Sequence, residues 1–462
     1  MLALLSRHRV FAAYCASLFW LLAACLWFAL LTDKGLGHAP AVAAIIGGAI
    51  VSYAVFWKLL SIGAPRLTNW PSETHQPPPP LSRTKSLVLL TLALLFAVMF
   101  VAHMVTLGKI PILAALSSSN DYGISVIRQE GYFGLPLWLR YLSDYSFKAL
   151  GPALLVITYL YRQRLFWFVL LVGSLYSLAV FVRILPAIFL TPLLLLLLFQ
   201  RRWLHLILAS ALLALLVTIA TSASAPGIRS SFVPEEAPAP VVNQADQAAV
   251  SGYTSPELPG QEASQEQNVE VVQEPPGQAL KEWEIGEPLP LTPPPAPPPV
   301  PEKKNWRSES TMYAIFERAL FVPGQVIDQW FYFYSRPEAR EHGCGYRTFA
   351  RFIGCEYVPV PSKLYQAFYH ENTQRGMQGS LNAVSFMNDY ANFGPLGITV
   401  STILTALLFC LITVIYRDHP LALPLNIPLV MVSMETSIIT ALNSGAGWLA
   451  MTALFLYFFR TK

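Results

Sequence analysis

Apolar residues along this chain are grouped in blocks of about 20 that contain few or no charged residues. Blocks of this length predict helices that cross a membrane, because a hydrocarbon core about 30 Å thick needs roughly 20 helical residues. A helix rises about 1.5 Å per residue. The sixth and tenth blocks are therefore short for a core of this thickness. The pattern predicts ten spans, at about 10–32, 41–63, 86–108, 141–161, 165–182, 184–199, 203–221, 393–416, 421–441 and 445–460.

The overall composition supports this prediction. Hydrophobic residues make up 54% of the 462 residues and charged residues only 13%, whereas a soluble globular protein contains about 25% charged residues. A water-soluble enzyme is therefore excluded for the chain as a whole. We expect an all-α polytopic integral membrane protein with about ten transmembrane helices.

Short connections that carry arginine set the expected orientation, because basic residues are enriched in short cytoplasmic loops. With both termini in the cytoplasm, the short cytoplasmic segments hold 12 lysine and arginine residues, and the short outside segments hold six. Every second connection, at 161–164, 200–202 and 416–419, is then a short turn that contains arginine. The sequence therefore predicts a large outside loop between the seventh and eighth spans.

This large loop divides into two parts of different composition. Residues 222–302 contain 12 of the 27 acidic residues, two basic residues and 17 of the 37 prolines, a composition that buries too little apolar surface to fold. We predict a disordered insert there, with a docking segment for a partner as the alternative. The remainder is rich in aromatic residues and arginine, and 311–336 is predicted to form a pair of amphipathic or partly embedded helices.

The predicted organisation therefore has four parts. They are residues 1–221 with spans one to seven and an outside segment at 109–148, the Pro/Glu-rich insert at 222–305, an ordered outside loop at 306–392, and residues 393–462 with spans eight to ten.

Two of the five cysteines, Cys344 and Cys355, lie close together in the predicted outside loop. We expect a disulfide between them if that compartment is oxidising, with two free thiols as the alternative. The other three, Cys15, Cys25 and Cys410, fall in predicted spans and are expected to pack as small apolar side chains.

Motifs of several soluble enzyme classes are missing from the sequence. It contains no GxxxxGK[ST] phosphate-binding loop, no HExxH and no paired CxxC motifs. Nucleotide-driven pumping is therefore unsupported, no stripe of basic residues suggests nucleic acid, and we predict neither a metal nor a cofactor.

Arginines concentrate near the predicted outer boundary. Arg183 is the whole connection between the predicted spans 165–182 and 184–199, so its side chain is held at the membrane surface. A guanidinium held there suits a bidentate phosphate contact. Arg128 and Arg140 flank a Gly-Leu-Pro break and can point into one cavity from two short segments, and Arg375 precedes the eighth span. The alternative for each is contact with lipid headgroups.

Three other side chains in this region are candidates for proton transfer. Asp389 and Glu435 lie near the outer ends of the eighth and ninth spans, and His370 lies in the sequence YHEN beside Glu371. A carboxylate can accept a proton from a hydroxyl if its site tunes its pKa toward the working pH. The alternative for each is a helix cap, a salt bridge or a structural hydrogen bond.

Together these residues suit a lipid-linked pyrophosphate that carries a sugar. Arginine would hold the pyrophosphate, aromatic rings would stack on sugar faces, and a carboxylate would polarise the acceptor hydroxyl. A donor that arrives already activated on its lipid requires no nucleotide-sugar motif.

Three stretches resemble the oligosaccharide repeat-unit polymerases of bacterial envelopes, the Wzy-type O-antigen polymerases. They are VRILPAIFLTPLLLLLLF at 182–199, ERALFVPGQVIDQWFYFYSR at 317–336 and NAVSFMNDYANFGPLG at 382–397. The number of spans and the placement of the large loop are similar as well. The Pro/Glu-rich insert departs from the family pattern.

The resemblance implies a metal-independent glycosyltransferase of GT-C-like architecture in the bacterial inner membrane, with its active face in the periplasm. It implies transfer of a growing glycan from undecaprenyl pyrophosphate to a new lipid-linked repeat unit, to build an O-antigen or related polysaccharide. Membrane lipids are expected around the chain, and a chain-length regulator and a flippase of the same pathway are possible partners. Matching the family pattern assigns roles to Arg183, Arg318, Asn388 and Asp389, with Asn382 at the start of the last stretch.

Other functions stay open at this point. An O-antigen ligase has the same architecture and donor, but its acceptor is lipid A–core, and it uses a histidine in a large periplasmic loop. A flippase for the lipid-linked repeat would typically show internal repeats and charges at mid-membrane depth, which the sequence lacks. A structural scaffold would not explain the charges clustered at one boundary.

We predict that Arg183→Ala abolishes polymerisation while the protein still inserts, because a pinned guanidinium at the membrane surface would hold the pyrophosphate. The surface glycan of a complemented deletion strain, resolved by size, is the measurement, with membrane abundance of the variant as the control. Full-length glycan chains from this variant would contradict the phosphate role.

Overall fold

The computed structural model describes residues 7–68, 81–117, 124, 126–127, 130–131, 134–182, 184–222, 317–374, 379–442 and 447–460. Within these ranges the regular structure is helical, without a β-strand. The predicted insert, apart from Ser222, lies outside the described residues.

The helices follow the apolar blocks of the sequence. They are α1 Arg9–Leu31, α2 Ala39–Gly63, α3 Pro65–Thr68, α4 Arg83–Leu107, α5 Pro111–Leu116, α6 Leu137–Tyr145, a π-helical turn Ser146–Leu150, α7 Gly151–Tyr161, α8 Gln163–Ala179, α9 Leu185–Phe199, α10 Trp203–Ser222, a π-helical turn Glu317–Phe321, α11 Val322–Tyr334, a 3-10 turn Pro337–Ala339, α12 Arg347–Ile353, α13 Val360–Phe368, α14 His370–Gln374, α15 Ser385–Tyr416, α16 Ala422–Ser433, α17 Ile438–Thr440, α18 Trp448–Phe455 and a π-helical turn Leu456–Arg460.

Five of these helices, α1, α2, α4, α10 and α15, are long and apolar enough to cross a membrane. Large apolar side chains lie exposed on their outer faces, among them Leu30, Ile62 and Val105, each at least 70% exposed. Extended apolar surface of this kind is unusual in water-soluble monomers. The fold is therefore all-helical and compatible with a membrane-embedded protein.

The ninth predicted span differs from the structure. The sequence predicts one helix over 421–441, but α16 ends at Ser433. The Val432 carbonyl accepts from the backbone N–H groups of Glu435 and Thr436 at 3.0 and 3.1 Å, which tightens and closes the last turn. Ser437 then caps the short helix α17, its Oγ accepting from the Thr440 N–H at 3.3 Å. Glu435 therefore lies in a break between two helices.

Of the helix pair predicted at 311–336, residues 311–316 lie outside the described residues. The described part, 317–336, contains one helical run over 317–334, composed of a π-helical turn and α11. This run packs along α1. The contact is close at Gly324, where a β-carbon would clash with the Ala24 carbonyl oxygen. The connection between α1 and α2 also contacts α11: Lys34 Nζ donates to Asp328 Oδ2 at 2.7 Å, and the ring of His38 stacks on Phe331 at 4.6 Å.

A sharp bend divides α15 into two helical parts at Gly394, whose φ of 64° and ψ of −148° are not helical. The bend brings Asp389 so close to Gly397 that a β-carbon on Gly397 would clash with the Asp389 carbonyl oxygen. Eight residues apart on a straight helix, these two positions would be separated by about 12 Å. The longer part, 395–416, packs along α2, and the shorter part, 385–393, reaches the loop that precedes α12.

We predict that Gly324→Ala destabilises the protein by about 1–3 kcal/mol, because an added methyl group would overpack the contact between α11 and α1. Thermal unfolding of the purified protein in detergent measures the effect. Gly47→Ala on α2 is the matched control, since a β-carbon there meets no atom within 4 Å. An equal change in the two variants would contradict close packing at Gly324.

Candidate functional site

A polar cavity of about 690 Å³ lies between α4, α6, α8, the end of α16 and the loops around α12 and α13. Its volume falls within the roughly 300–1,000 Å³ that small-molecule sites occupy. Its walls come from segments that the sequence analysis predicts at the outer boundary, including 137–148, 345–347 and 435–440. We call this space the polar cavity.

One face of α6 and the turn that follows supplies much of its charge. Arg140, Tyr141, Asp144 and Lys148 all line the cavity. Asp144 follows Arg140 by four residues and Tyr141 by three, and Lys148 follows Asp144 by four, so each lies on the same side of the helix as Asp144. Lys148 Nζ and Asp144 Oδ1 form an ion pair at 2.9 Å. Lys148 also interacts electrostatically with Glu435, which lines the cavity from the break after α16.

A second part of the wall is a loop that is hydrogen-bonded to the short part of α15. Asn392 Oδ1 accepts from the backbone N–H groups of Gly343 and Gly345 at 3.1 and 2.9 Å, and the Glu341 N–H donates to the Ala391 carbonyl at 2.9 Å. The loop includes the disulfide between Cys344 and Cys355. This arrangement holds Gly345 and Tyr346 at the cavity wall.

Asp389 is connected to the cavity through Tyr346. The Tyr346 hydroxyl donates to Asp389 Oδ1 at 2.5 Å, and Tyr346 lines the cavity while Asp389 does not. Burial raises the pKa of the Tyr346 phenol, and the charge of Asp389 raises it further, so the hydroxyl stays protonated and donates. Asp389 therefore orients Tyr346 and reaches the cavity through it.

Arg347, at the first position of α12, adds a further cation to the cavity. Its guanidinium carbon lies 4.9 Å from the centre of the Tyr357 ring, a cation–π contact with another lining residue. His103 and Tyr176 also line the cavity, and His103 Nδ1 lies 2.8 Å from the Tyr176 hydroxyl.

The structure brings some of the predicted site residues together. Arg140, Glu435, Asn382 and Asn388 line the polar cavity, and Asp389 lies behind Tyr346. His370 does not line it and is exposed with its neighbour Glu371. The sequence analysis did not select Tyr346, Arg347, Tyr357 or Lys148 as site residues.

Four of the predicted site arginines, or their side chains, fall outside the described residues. Arg128, Arg183 and Arg375 lie outside the described residues, and the side chain of Arg318 is not described. Val182 and Ile184, on either side of Arg183, do line the polar cavity.

The chemistry that this cavity offers is recognition and proton transfer. Cationic groups can hold an anion, tyrosines can contact sugar or ring faces, and Glu435 can exchange a proton with a hydroxyl. Within the described part of the chain, no group of three histidine, cysteine, aspartate or glutamate side chains is arranged to hold a metal ion.

No protein-family model matches the chain, and neither a curated protein nor a solved structure matches it.

We predict that Asn392→Ala destabilises the outer wall of the cavity, because it leaves the N–H groups of Gly343 and Gly345 without their acceptor. A buried group left unsatisfied costs about 1–3 kcal/mol. Hydrogen exchange at these two amides is the measurement, and it should become faster. Asn388→Ala, one turn earlier, keeps the carbonyl that accepts from Asn392 Nδ2 at 2.7 Å and serves as the control. Equal exchange in both variants would contradict the role of Asn392.

Proposed function

We propose that this protein is an oligosaccharide repeat-unit polymerase, a metal-independent glycosyltransferase that lengthens a glycan on undecaprenyl pyrophosphate. The polar cavity carries the proposal. It gathers arginine, lysine, carboxylate and tyrosine side chains from segments far apart in the sequence, all of them predicted at one boundary of a membrane protein. A site of this composition suits a charged lipid-linked sugar better than an apolar solute.

In this proposal the cations bind the leaving group. Arg140 and Arg347 present planar guanidinium groups to the cavity, and these groups form paired hydrogen bonds with phosphate oxygens. As the bond to the sugar breaks, negative charge grows on the pyrophosphate, and fixed cations stabilise it there. The sequence analysis assigns Arg183 to the pyrophosphate as well, and its chain neighbours Val182 and Ile184 line the cavity.

The transfer step then needs one proton acceptor. The hydroxyl oxygen of the acceptor sugar forms a bond to the anomeric carbon of the donor, while the bond from that carbon to the pyrophosphate oxygen breaks. Undecaprenyl pyrophosphate leaves with the bonding electrons, and the hydroxyl proton passes to a carboxylate. Glu435 is the best placed acceptor, because it faces the cavity directly, whereas Asp389 acts as a positioning residue through Tyr346.

The apolar helices support a location in a membrane. In the proposal this is the bacterial inner membrane, with the polar cavity open to the periplasm. A lipid-linked substrate would keep its isoprenoid chain among the exposed apolar helix faces while its pyrophosphate and sugars enter the cavity. A chain-length regulator and the flippase that supplies the substrate are the proposed partners.

The proposal is tested first at the level of the gene. In a deletion strain, we expect lipid A–core capped with a single repeat unit and loss of the longer glycan ladder, measured on a size-resolving gel of surface glycolipids. Bare core with long glycans on undecaprenyl pyrophosphate would instead indicate a ligase. Bare core with single lipid-linked repeats held on the cytoplasmic side would indicate a flippase.

The role of the cavity is tested by a matched pair on α12. Arg347→Ala should lower polymer formation by about tenfold or more, the factor that corresponds to about 1.4 kcal/mol of lost transition-state stabilisation. Arg351→Ala, one turn later and outside the cavity lining, is the control and should keep full activity. Equal activities of the Arg347 and Arg351 variants would contradict the assignment of the site.

Glu435→Gln should lower the rate of polymer formation by roughly 100-fold, as expected for a missing general base.

A further inference from the structure

A second cavity, of about 420 Å³, lies at the other end of two helices that border the polar cavity. The polar cavity contacts Leu185 and Ile188 near the start of α9, and the second cavity contacts Leu193 and Leu197 near its end. The residues of the second cavity belong to α7, α8, α9 and α10 and to the turns between them. We call it the leucine-walled cavity.

One end of the leucine-walled cavity is basic. Arg162 and Arg202 line it together with Tyr159 and His205, and none of the residues that line it is acidic. Arg202 Nη1 donates to the Tyr159 hydroxyl at 2.9 Å, and its guanidinium lies 5.5 Å from the centre of the Tyr159 ring. Arg162 donates to the hydroxyl of Ser86.

Both arginines are therefore positioned by neutral hydroxyl groups. Among the residues that the structure describes, no carboxylate forms an ion pair with either guanidinium. Their positive charges can therefore attract an anion, and the other N–H groups of each guanidinium can bind its oxygens.

The rest of the cavity is apolar. Leu193 and Leu197 of α9 form a buried wall, and Leu170 of α8 and Leu212 of α10 line the same cavity. The neighbouring helix α10 is the most exposed of the five long apolar helices, and only Leu216 and Ala220 of its residues are buried. The leucine wall thus continues into surface that suits the hydrocarbon part of a membrane.

A basic end followed by an apolar trough matches one class of molecule. We propose that the leucine-walled cavity binds an anionic phospholipid of the phosphatidylglycerol type, its phosphodiester on Arg162 and Arg202 and an acyl chain along the leucine wall. Phosphatidylcholine carries a cation on the same phosphate and would gain less from these arginines. The bound lipid joins α10 to α8 and α9, the helices that α10 contacts.

The location agrees with the predicted topology. Both arginines belong to the short connections 161–164 and 200–202, which the sequence analysis predicts in the cytoplasm. Basic pockets between transmembrane helices on that side are known to hold anionic headgroups. The proposal does not depend on the polymerase activity, since the two cavities share no lining residue.

The test uses the full chain purified in detergent. Native mass spectrometry and thermal unfolding are measured with dioleoyl phosphatidylglycerol, with dioleoyl phosphatidylcholine and with inorganic phosphate. We expect the protein to retain phosphatidylglycerol in the mass spectrum. We also expect phosphatidylglycerol to raise the unfolding temperature, and the other two additives to leave it unchanged. Equal binding of phosphatidylcholine, or the same stabilisation by inorganic phosphate, would overturn the proposal.

Variants locate the site. Arg162→Gln with Arg202→Gln should bind phosphatidylglycerol at least about tenfold more weakly. Arg201→Gln is the matched control, because Arg201 lies in the same connection as Arg202, is exposed and does not line the cavity. Unchanged binding by the double variant, or equal loss in the control, would overturn the proposal. Should the double variant not fold, Arg202→Gln alone decides between the same outcomes, with Arg201→Gln again as its control.

Discussion

The bend at Gly394 is the constraint on which the outer part of the molecule depends. Its combination of φ and ψ lies in a region that is essentially restricted to glycine. Because the chain turns there, the segment 385–393 leaves the direction of the long apolar helix and presents Asp389 and Asn392 to the loop before α12. The hydrogen bonds of these two side chains then set the positions of Gly345 and Tyr346 at the cavity wall. Without the bend, a straight helix would carry both residues away from that loop.

Much of the helical framework could be predicted from hydropathy, because long apolar blocks have few alternatives to a helix in an apolar environment. Each predicted span falls on a helical part of the chain, although the ninth is broken after Ser433. The break could not be predicted from composition, since it depends on local hydrogen bonds of the 432–437 backbone and on the cap formed by Ser437.

The site was predictable only in part, for a similar reason. Glu435 and Arg140 could be selected because a charged residue beside an apolar block is conspicuous in the sequence. Tyr346 and Arg347 lie in a polar, aromatic loop where such residues are ordinary, and the partner of Tyr346 is 43 residues further along the chain. One feature of the sequence does point to Tyr346 and Arg347: both lie between Cys344 and Cys355, and a disulfide between these cysteines fixes the shape of the segment.

The attachment of this loop to Asn392 also has a consequence for biogenesis. Residues 341–346 are hydrogen-bonded to α15, which begins about forty residues later in the chain. The loop therefore cannot complete its structure until α15 has been synthesised. The pairing of Cys344 with Cys355 spans only 11 positions and has no such delay. Oxidation of the loop can therefore precede its docking, and the growing chain would present a small, already cross-linked lobe to the helix that arrives after it.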